Sequence, residues 1–201
     1  MNFCVFSFYT ENTPYEDEIH ILETSCRNLK IPFQKSSIPS SGKWVNNTMH
    51  KPKLILEFME KTKYDAVVWV DADGVFKEYP QLFVQYLSDK VDFAVFRMGS
   101  RYRVTSGTIY LANNDRVKSF VNTWKEFCEG TKKPLGDQAC LRKIIKKGYV
   151  SEYQLKREDL PYSYCYVFDD SLRMLSDEIE PLQTSPVIIH NQASRRFKRD
   201  V

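Results

Sequence analysis

The sequence has no Cys-x-x-Cys pair, no long apolar run and no marked excess of one charge, and each lack removes a class of function. Its five cysteines, Cys4, Cys26, Cys128, Cys140 and Cys165, are odd in number and scattered. Nothing in their spacing resembles a zinc finger, which argues against thiolate-bound zinc and fits reduced, buried thiols in a cytoplasmic protein. The longest apolar run near the start, Phe3 to Phe8, is far too short for a signal-peptide core or a membrane span. With no secretion signal, the sequon Asn46-Asn47-Thr48 reads as chance. Basic and acidic residues number 29 and 26, a net charge of +3. That near balance lacks the basic stripe of a nucleic-acid binder, so no nucleic acid is expected as a partner, and no membrane span is expected either. Internal repeats and low-complexity linkers are missing too.

What is present is an ordinary globular composition with an aromatic surplus. Apolar residues make up 42% and charged residues 27% of 201 positions, and 14% are aromatic. The aromatic share excludes a disordered chain and suggests a cleft with stacking surfaces. The length suits a single domain spanning 1–201, large enough to bury its own core without staples.

Hydrophobic pattern places the elements. Phe3 to Tyr9 reads as a buried opening strand, and Tyr15 to Leu29 as a helix with Ile19, Leu22, Cys26 and Leu29 on one face. Ser36 to Asn47 reads as a polar loop holding Trp44. Lys51-Pro52 opens a helix, with Pro near its first position. A second buried strand, Tyr64 to Val70, runs into Asp71-Ala72-Asp73-Gly74. A short helix is expected over Gln81 to Leu87, with strands over Asp92 to Phe96 and Thr108 to Ala112. Helices follow at Asp115 to Cys128 and Asp137 to Lys147, then strands at Tyr164 to Phe168 and Val187 to His190. Strands that alternate with helices early and crowd together later predict an α/β fold with a mainly parallel, twisted sheet flanked by helices. Ligands of such sheets sit at the carboxyl ends of strands, where Asp71, Asp73 and His190 fall.

The stretch Val67-Val68-Trp69-Val70-Asp71-Ala72-Asp73-Gly74 is the most informative. Two carboxylates one residue apart at a strand end offer hard oxygen ligands for Mg²⁺ or Mn²⁺, and such a metal can hold a diphosphate. The plainer alternative is an Asp-Gly turn that closes the strand. A calcium-binding EF-hand loop is excluded, because Val75 and Leu82 stand where its third ligand and its glutamate belong.

From this motif onward the sequence resembles the GT-A family of nucleotide-sugar glycosyltransferases, in which an apolar strand runs into an Asp-x-Asp motif. Ser106-Gly107-Thr108-Ile109-Tyr110-Leu111 is similar to the family's small-residue turn and strand bordering the sugar pocket. Gly136-Asp137-Gln138-Ala139 is similar to its Asp-Gln helix start, and Val187-Ile188-Ile189-His190 to the strand-end His of retaining members. These matches come in the family's order and, together with the opening strand Phe3 to Thr10, span nearly the whole chain. A compact catalytic domain of this kind resembles members from bacteria and large algal viruses, whose place would be the cytoplasm, the host's for a virus.

The resemblance implies transfer of a sugar from a nucleotide diphosphate, UDP above all, to a hydroxyl of a glycan or glycoprotein, with retention. It implies that Asp73 ligates Mn²⁺ or Mg²⁺ directly, that Asp71 shares the metal or holds ribose through it, and that His190 adds a nitrogen ligand. Thr10, Trp44 and Lys51, with Ala72 between the two acids, would border the nucleotide, and Asp137 and Gln138 would face the transferred sugar. The run Asn191 to Arg196 departs from the Gly and Lys that retaining relatives carry after the His. The cation for the phosphate is therefore sought among Arg195, Arg196 and Lys198.

Two rival readings remain at this stage. Haloacid-dehalogenase-type phosphatases also place Asp-x-Asp-Gly after an apolar strand. Asp71 would then be the nucleophile, and Asp169-Asp170 the second acidic pair. That reading leaves His190 and Asp137-Gln138 without a role. A non-catalytic sugar or nucleotide-binding module would use the aromatics as platforms, yet would have no need of the acidic constellation. Blander roles also exist for single residues: a satisfied structural His190, a solvated Arg195 to Arg199 tail, Trp44 packed on the core, and Asp169 and Asp170 as helix caps.

Overall fold

A computed structural model describes residues 2–99, 103–173 and 179–197. The first half runs β1 (Phe3–Glu11), α1 (Tyr15–Asn28), β2 (Phe33–Pro39), α2 (Trp44–Thr48), α3 (Lys51–Lys61), β3 (Ala66–Val70), β4 (Gly74–Phe76) and α4 (Gln81–Ser88). The second half runs β5 (Phe93–Met98), β6 (Arg103–Ala112), α5 (Asp115–Glu129), α6 (Asp137–Lys146), α7 (Tyr149–Glu152) and β7 (Arg157–Asp159). A 3₁₀ turn over Tyr162–Tyr164, β8 (Tyr166–Val167), β9 (Ile188–His190) and α8 (Ala193–Phe197) follow.

A six-stranded sheet in the order β2-β1-β3-β6-β5-β7 forms the centre. β1 lies parallel to both β2 and β3, and β5 parallel to β7, whereas β6 runs antiparallel to its neighbours β3 and β5. The sheet is therefore mixed, with parallel pairings in the majority. The inner strands β1 and β3 are covered on both faces, which is why they read as unbroken apolar runs rather than alternating ones. Phe3 and Val5 of β1, with Ala66, Val68 and Val70 of β3, face one core, closed by Ile19 and Leu22 of α1 and Phe83 of α4. Phe6, Val67 and Trp69 face the other, closed by Ile55 of α3, Phe120 and Trp124 of α5, and Leu141 and Ile144 of α6. α5 starts at Asn114, whose side chain accepts a hydrogen bond from the Val117 N–H at 3.0 Å. A cap of this kind stabilises by about 1 kcal/mol. All five cysteines are free and buried, as their spacing suggests.

The structure corrects three expectations. Residues 36–47 are not one loop: Ser36–Pro39 belong to β2, and Trp44 opens α2. The Ser-rich β2 has little intrinsic strand preference, and it forms because its backbone pairs with β1 along the sheet edge. β6 starts five residues earlier than Thr108, since Arg103 and Val104 pair with Met98 and Arg97 past a register shift. The late strands do not extend the main sheet; β8 and β9 join β4 in a second sheet of order β4-β9-β8. There the 3₁₀ turn, closed by the Cys165 N–H on the Tyr162 carbonyl at 2.9 Å, shortens β8 to two residues. The second sheet sets the site, because the Gly74–His190 pairing brings the last strand beside the Asp71–Asp73 turn.

Candidate active site

At the carboxyl ends of β1 and β3 a cavity of about 410 Å³ opens. Thr10 and Trp44 line one side of it. Lys51, Asp71, Ala72 and Asp73 line its floor, Asp137 and Gln138 the side formed by α6, and His190 and Arg195 the side formed by the second sheet. Five separate segments of sequence meet here, because β1, β3 and β6 end or enter at one edge of the sheet and β9 is paired onto β4.

The Asp71–Gly74 segment is a tight turn, closed by the Gly74 N–H on the Asp71 carbonyl at 2.8 Å, so the Asp-Gly turn reading holds for its backbone. Asp71 Oδ1 accepts from Trp69 Nε1 at 2.8 Å. Asp73 is more enclosed: its Oδ2 accepts from the Ala193 N–H at 2.9 Å, and its Oδ1 stands 3.5 Å from His190 Nδ1. The other ring nitrogen, Nε2, lies 2.9 Å from Thr108 Oγ1. Two glycines border this histidine, Gly107 making room for its ring and Gly74 for Val70 beside it. A Cβ on Gly107 would come within 3.1 Å of His190 Cε1, and one on Gly74 would stand 2.3 Å from Val70 Cγ1 and 3.6 Å from the same ring carbon. Burial disfavours the His190 imidazolium, but hydrogen bonds with Asp73 and Cys165 and the Asp73 charge outweigh it and raise the pKa to about 10. Burial likewise opposes the Asp73 carboxylate, yet His190 and the Ala193 N–H hold its pKa below the usual range. Asp73 thus stabilises positive charge on the His190 ring itself.

Lys51 is the hub of the floor. Its Nζ lies 2.8 Å from Asp71 Oδ1, 2.6 Å from Asp137 Oδ2 and 3.1 Å from the Ser106 carbonyl, and 5.1 Å over the Trp69 ring. Its side chain is only 4% exposed. Burial would strip the ammonium of its proton, but Asp137 and Asp71 overcome this and hold the pKa above the ordinary lysine range. All three N–H bonds thus point at protein acceptors, and Lys51 ties the turn after β3 to the start of α6. Gln138, which also lines the cavity, adds a second tie by accepting from the Ser106 N–H at 3.0 Å.

Arg195 lines the cavity, but its Nη1 pairs with Asp169 at 2.5 Å and its Nη2 reaches Ser171 Oγ at 2.6 Å. Arg196 pairs with Glu18 at 2.6 Å, and Lys198 and Arg199 lie outside the described residues. Asp170 pairs with Arg173. The acidic pair that a phosphatase reading requires is therefore engaged with arginines and not with Asp71.

Among the described residues no group of three or more His, Cys, Asp or Glu side chains stands gathered for a metal ion. The donor chemistry nevertheless fits a hard divalent cation: two carboxylates and an imidazole line one cavity, Asp73 beside His190, while Asp71 and Asp137 share a single buried ammonium. What separates the three donors is that Asp71 is drawn toward Lys51 and Trp69.

Two lining residues, Trp69 and Arg142, and the His190 partner Thr108 escaped the sequence reading. Trp69 shares a strand face with Asp71 by period-two spacing, a usable signal. Arg142 stands one helical turn beyond Gln138, also usable. Thr108 meets His190 across 82 positions, and nothing local announces that contact.

The site thus sits in an α/β fold, with an acidic turn at its strand ends and an Asp-Gln helix start beside it. The profile of the family described as nucleotide-diphospho-sugar transferase matches residues 15–200, and the chain belongs to that family. It is accordingly a glycosyltransferase of the GT-A-like type, using a nucleotide-sugar donor. No curated protein matches the sequence at a significant level. Among solved structures, the fold is similar to a glycosyltransferase involved in the glycosylation of the major capsid of PBCV-1, with TM-score 0.71, 12% identity, and coverage of 100% of this chain and 97% of that one. It is also similar to the glycosyltransferase GlyE of Streptococcus pneumoniae TIGR4, with TM-score 0.62 and 12% identity over 94% of this chain and 54% of that one. Mouse xyloside xylosyltransferase 1 matches with TM-score 0.54 and 8% identity over 96% and 99% of the two chains. Identities this low speak for the fold alone. Among the described residues, no helix is long and apolar enough to cross a membrane.

Proposed function

We propose that this chain is a metal-dependent enzyme that transfers a sugar from a UDP-sugar to a hydroxyl of a glycan or glycoprotein, with retention at the anomeric carbon. The observation that carries the reading is the convergence of Asp71, Asp73, His190, Asp137 and Gln138 on one cavity at the strand ends, in a chain of the nucleotide-sugar transferase family. Asp73, Asp71 and His190 would hold Mn²⁺ or Mg²⁺. When bound, the ion supplies Lewis-acid neutralisation of the diphosphate as the glycosidic bond breaks.

The chain's own residues do the rest. Thr10 and Trp44 flank the base and ribose, with the strand end Phe8-Tyr9-Thr10 offering a backbone edge and aromatic walls suited to uracil. Lys51 keeps Asp71 and Asp137 in register, and Arg195 stands where a diphosphate oxygen can recruit it. Retention is supported by the state of Asp137. An inverting enzyme needs a free carboxylate to take the acceptor's proton. Here the lining carboxylates are Asp71, Asp73 and Asp137, and Asp137 is buried against Lys51 at 2.6 Å. The leaving diphosphate oxygen, on the face of the incoming hydroxyl, is then the base at hand. Asp137 and Gln138 orient the sugar and stabilise charge at its anomeric carbon.

A panel of nucleotide sugars with Mn²⁺ and with chelator tests this. Metal-dependent release of UDP from one donor is expected, with UDP competing better than GDP or ADP and NMR showing the donor's anomeric configuration kept. Equal competition by the three nucleotides overturns the uridine assignment, and an inverted product overturns retention. Gln138→Ala should lower kcat on the order of a hundredfold, the scale of one lost transition-state donor, while nearly sparing UDP affinity. A parallel loss of UDP affinity would move Gln138 to the nucleotide side.

A further inference from the structure

We infer that Arg142 forms an anion-binding subsite on the saccharide side of the cavity, and that the saccharide seated there carries a carboxylate, as a uronic acid does. This rests on reading the cavity as a nucleotide-sugar site and narrows it to a substrate class. Arg142 lies four residues beyond Gln138 on α6, so the two side chains share a helix face, and both line the cavity. The Arg142 Nε donates to the Val104 carbonyl at 2.8 Å, which fixes the guanidinium plane and leaves both terminal amino groups to point elsewhere.

No carboxylate answers them among the described residues. Other arginines of this chain do have one: Arg97 and Arg157 pair with Asp159 at 2.7 and 3.1 Å, Arg116 with Asp92 at 3.0 Å, and Arg195 with Asp169. Among the described residues, the charge that acts on Arg142 is a like one. Burial, and secondarily the positive charge of Arg103, pull the Arg142 pKa below the usual arginine value. A half-buried guanidinium beside a second cation is held at a cost, and a bound anion would offset that cost.

Position argues that this anion is not the diphosphate. Ser106 is the β6 residue that meets Lys51, next to the Asp71–Asp137 floor. Val104, the anchor of Arg142, is two strand residues further on, about 7 Å away. With Nε occupied, the two amino groups make an end-on fork, the geometry that matches the two oxygens of a planar carboxylate. Gln138 beside it supplies an amide donor for a ring hydroxyl. The carboxylate could ride on the donor sugar or on the acceptor residue, and the chemistry that recognises it is the same.

The test is binding to the intact chain in Mn²⁺, by calorimetry, in two arms. One arm compares UDP-glucuronate with UDP-glucose. The other, with UDP present, compares an oligosaccharide of alternating glucuronate and N-acetylglucosamine with chitohexaose. In at least one arm the acidic ligand should bind about tenfold to a hundredfold tighter, the range of a charge-assisted hydrogen bond. The arm that shows it identifies the carrier. Arg142→Met should erase the preference, and Arg142→Lys, which keeps the charge without the fork, should retain only part of it. No preference in either arm, or a preference that survives Arg142→Met, overturns the inference. So does a loss shared equally by acidic and neutral ligands, which would make Arg142 merely structural. UDP alone carries no saccharide and reports separately: if it fails to bind, the nucleotide-sugar reading itself has failed.

Discussion

Replacing Asp73 by Asn is expected to abolish the gain in UDP affinity that Mn²⁺ provides, while the protein stays folded. The carboxylate does two things that this substitution separates. Its Oδ2 accepts the Ala193 N–H at 2.9 Å and so fixes the start of α8, and its Oδ1 faces His190 with a full negative charge. An amide oxygen can still accept from Ala193, so the segment after β9 keeps its anchor. The charge beside His190 is lost. Outer partners of metal ligands typically cost tenfold to a hundredfold in metal affinity when mutated, and a direct ligand should cost at least about a hundredfold. Asp73→Ala would remove the acceptor as well, leave the Ala193 N–H buried and unpaired, and confound metal loss with local unfolding. The measurement is UDP titration of wild type and Asp73→Asn in Mn²⁺ and in chelator. If the variant still binds UDP more tightly with Mn²⁺, to the wild-type extent, Asp73 is not a metal ligand.

The parts of this site that were legible in the sequence are those encoded by short-range pattern. Strands buried on both faces leave unbroken apolar runs, so Phe3 to Tyr9 and Val67 to Val70 were visible, and so were the acids that interrupt the second run. Fixed local spacings marked the Pro near the start of α3 and the inward face of α5. What was not legible depends on partners distant in the chain. β2 has a polar, Ser-rich sequence and becomes a strand only because β1 offers it an edge. The second sheet could not be read either, since a two-residue β8 forms only against β9, which itself pairs with β4. Lys51 was expected to border the nucleotide; its engagement with residues 20 and 86 positions away is a product of the tertiary fold. The same holds for His190, whose place between Gly74 and Gly107 no local rule requires.

Lys51→Met should be the most damaging single change on the cavity floor, to stability as well as to turnover. Methionine fills nearly the same volume, so the change isolates the ammonium. Without it Asp137, whose carboxylate is 6% exposed, faces no cation, whereas Asp71, 39% exposed, can turn to water. Breaking a buried ion pair from one side costs about 3–5 kcal/mol. With one of the two acids rescued by solvent, about 3 kcal/mol is expected, a fall in Tm of about 10 °C for a chain of this length. Turnover should be lost as well, since the turn after β3 and the start of α6 are no longer tied. The double variant Lys51→Met/Asp137→Asn separates the two effects. A neutral amide needs no counter-charge, so the double variant should melt well above the single one. It should remain inactive, because neither the ammonium nor the Asp137 charge has been restored. Thermal melts and donor hydrolysis on the three proteins decide the matter. A single variant that melts with wild type, or a double variant that melts no higher than the single, would show that the ion pairs do not hold the floor together.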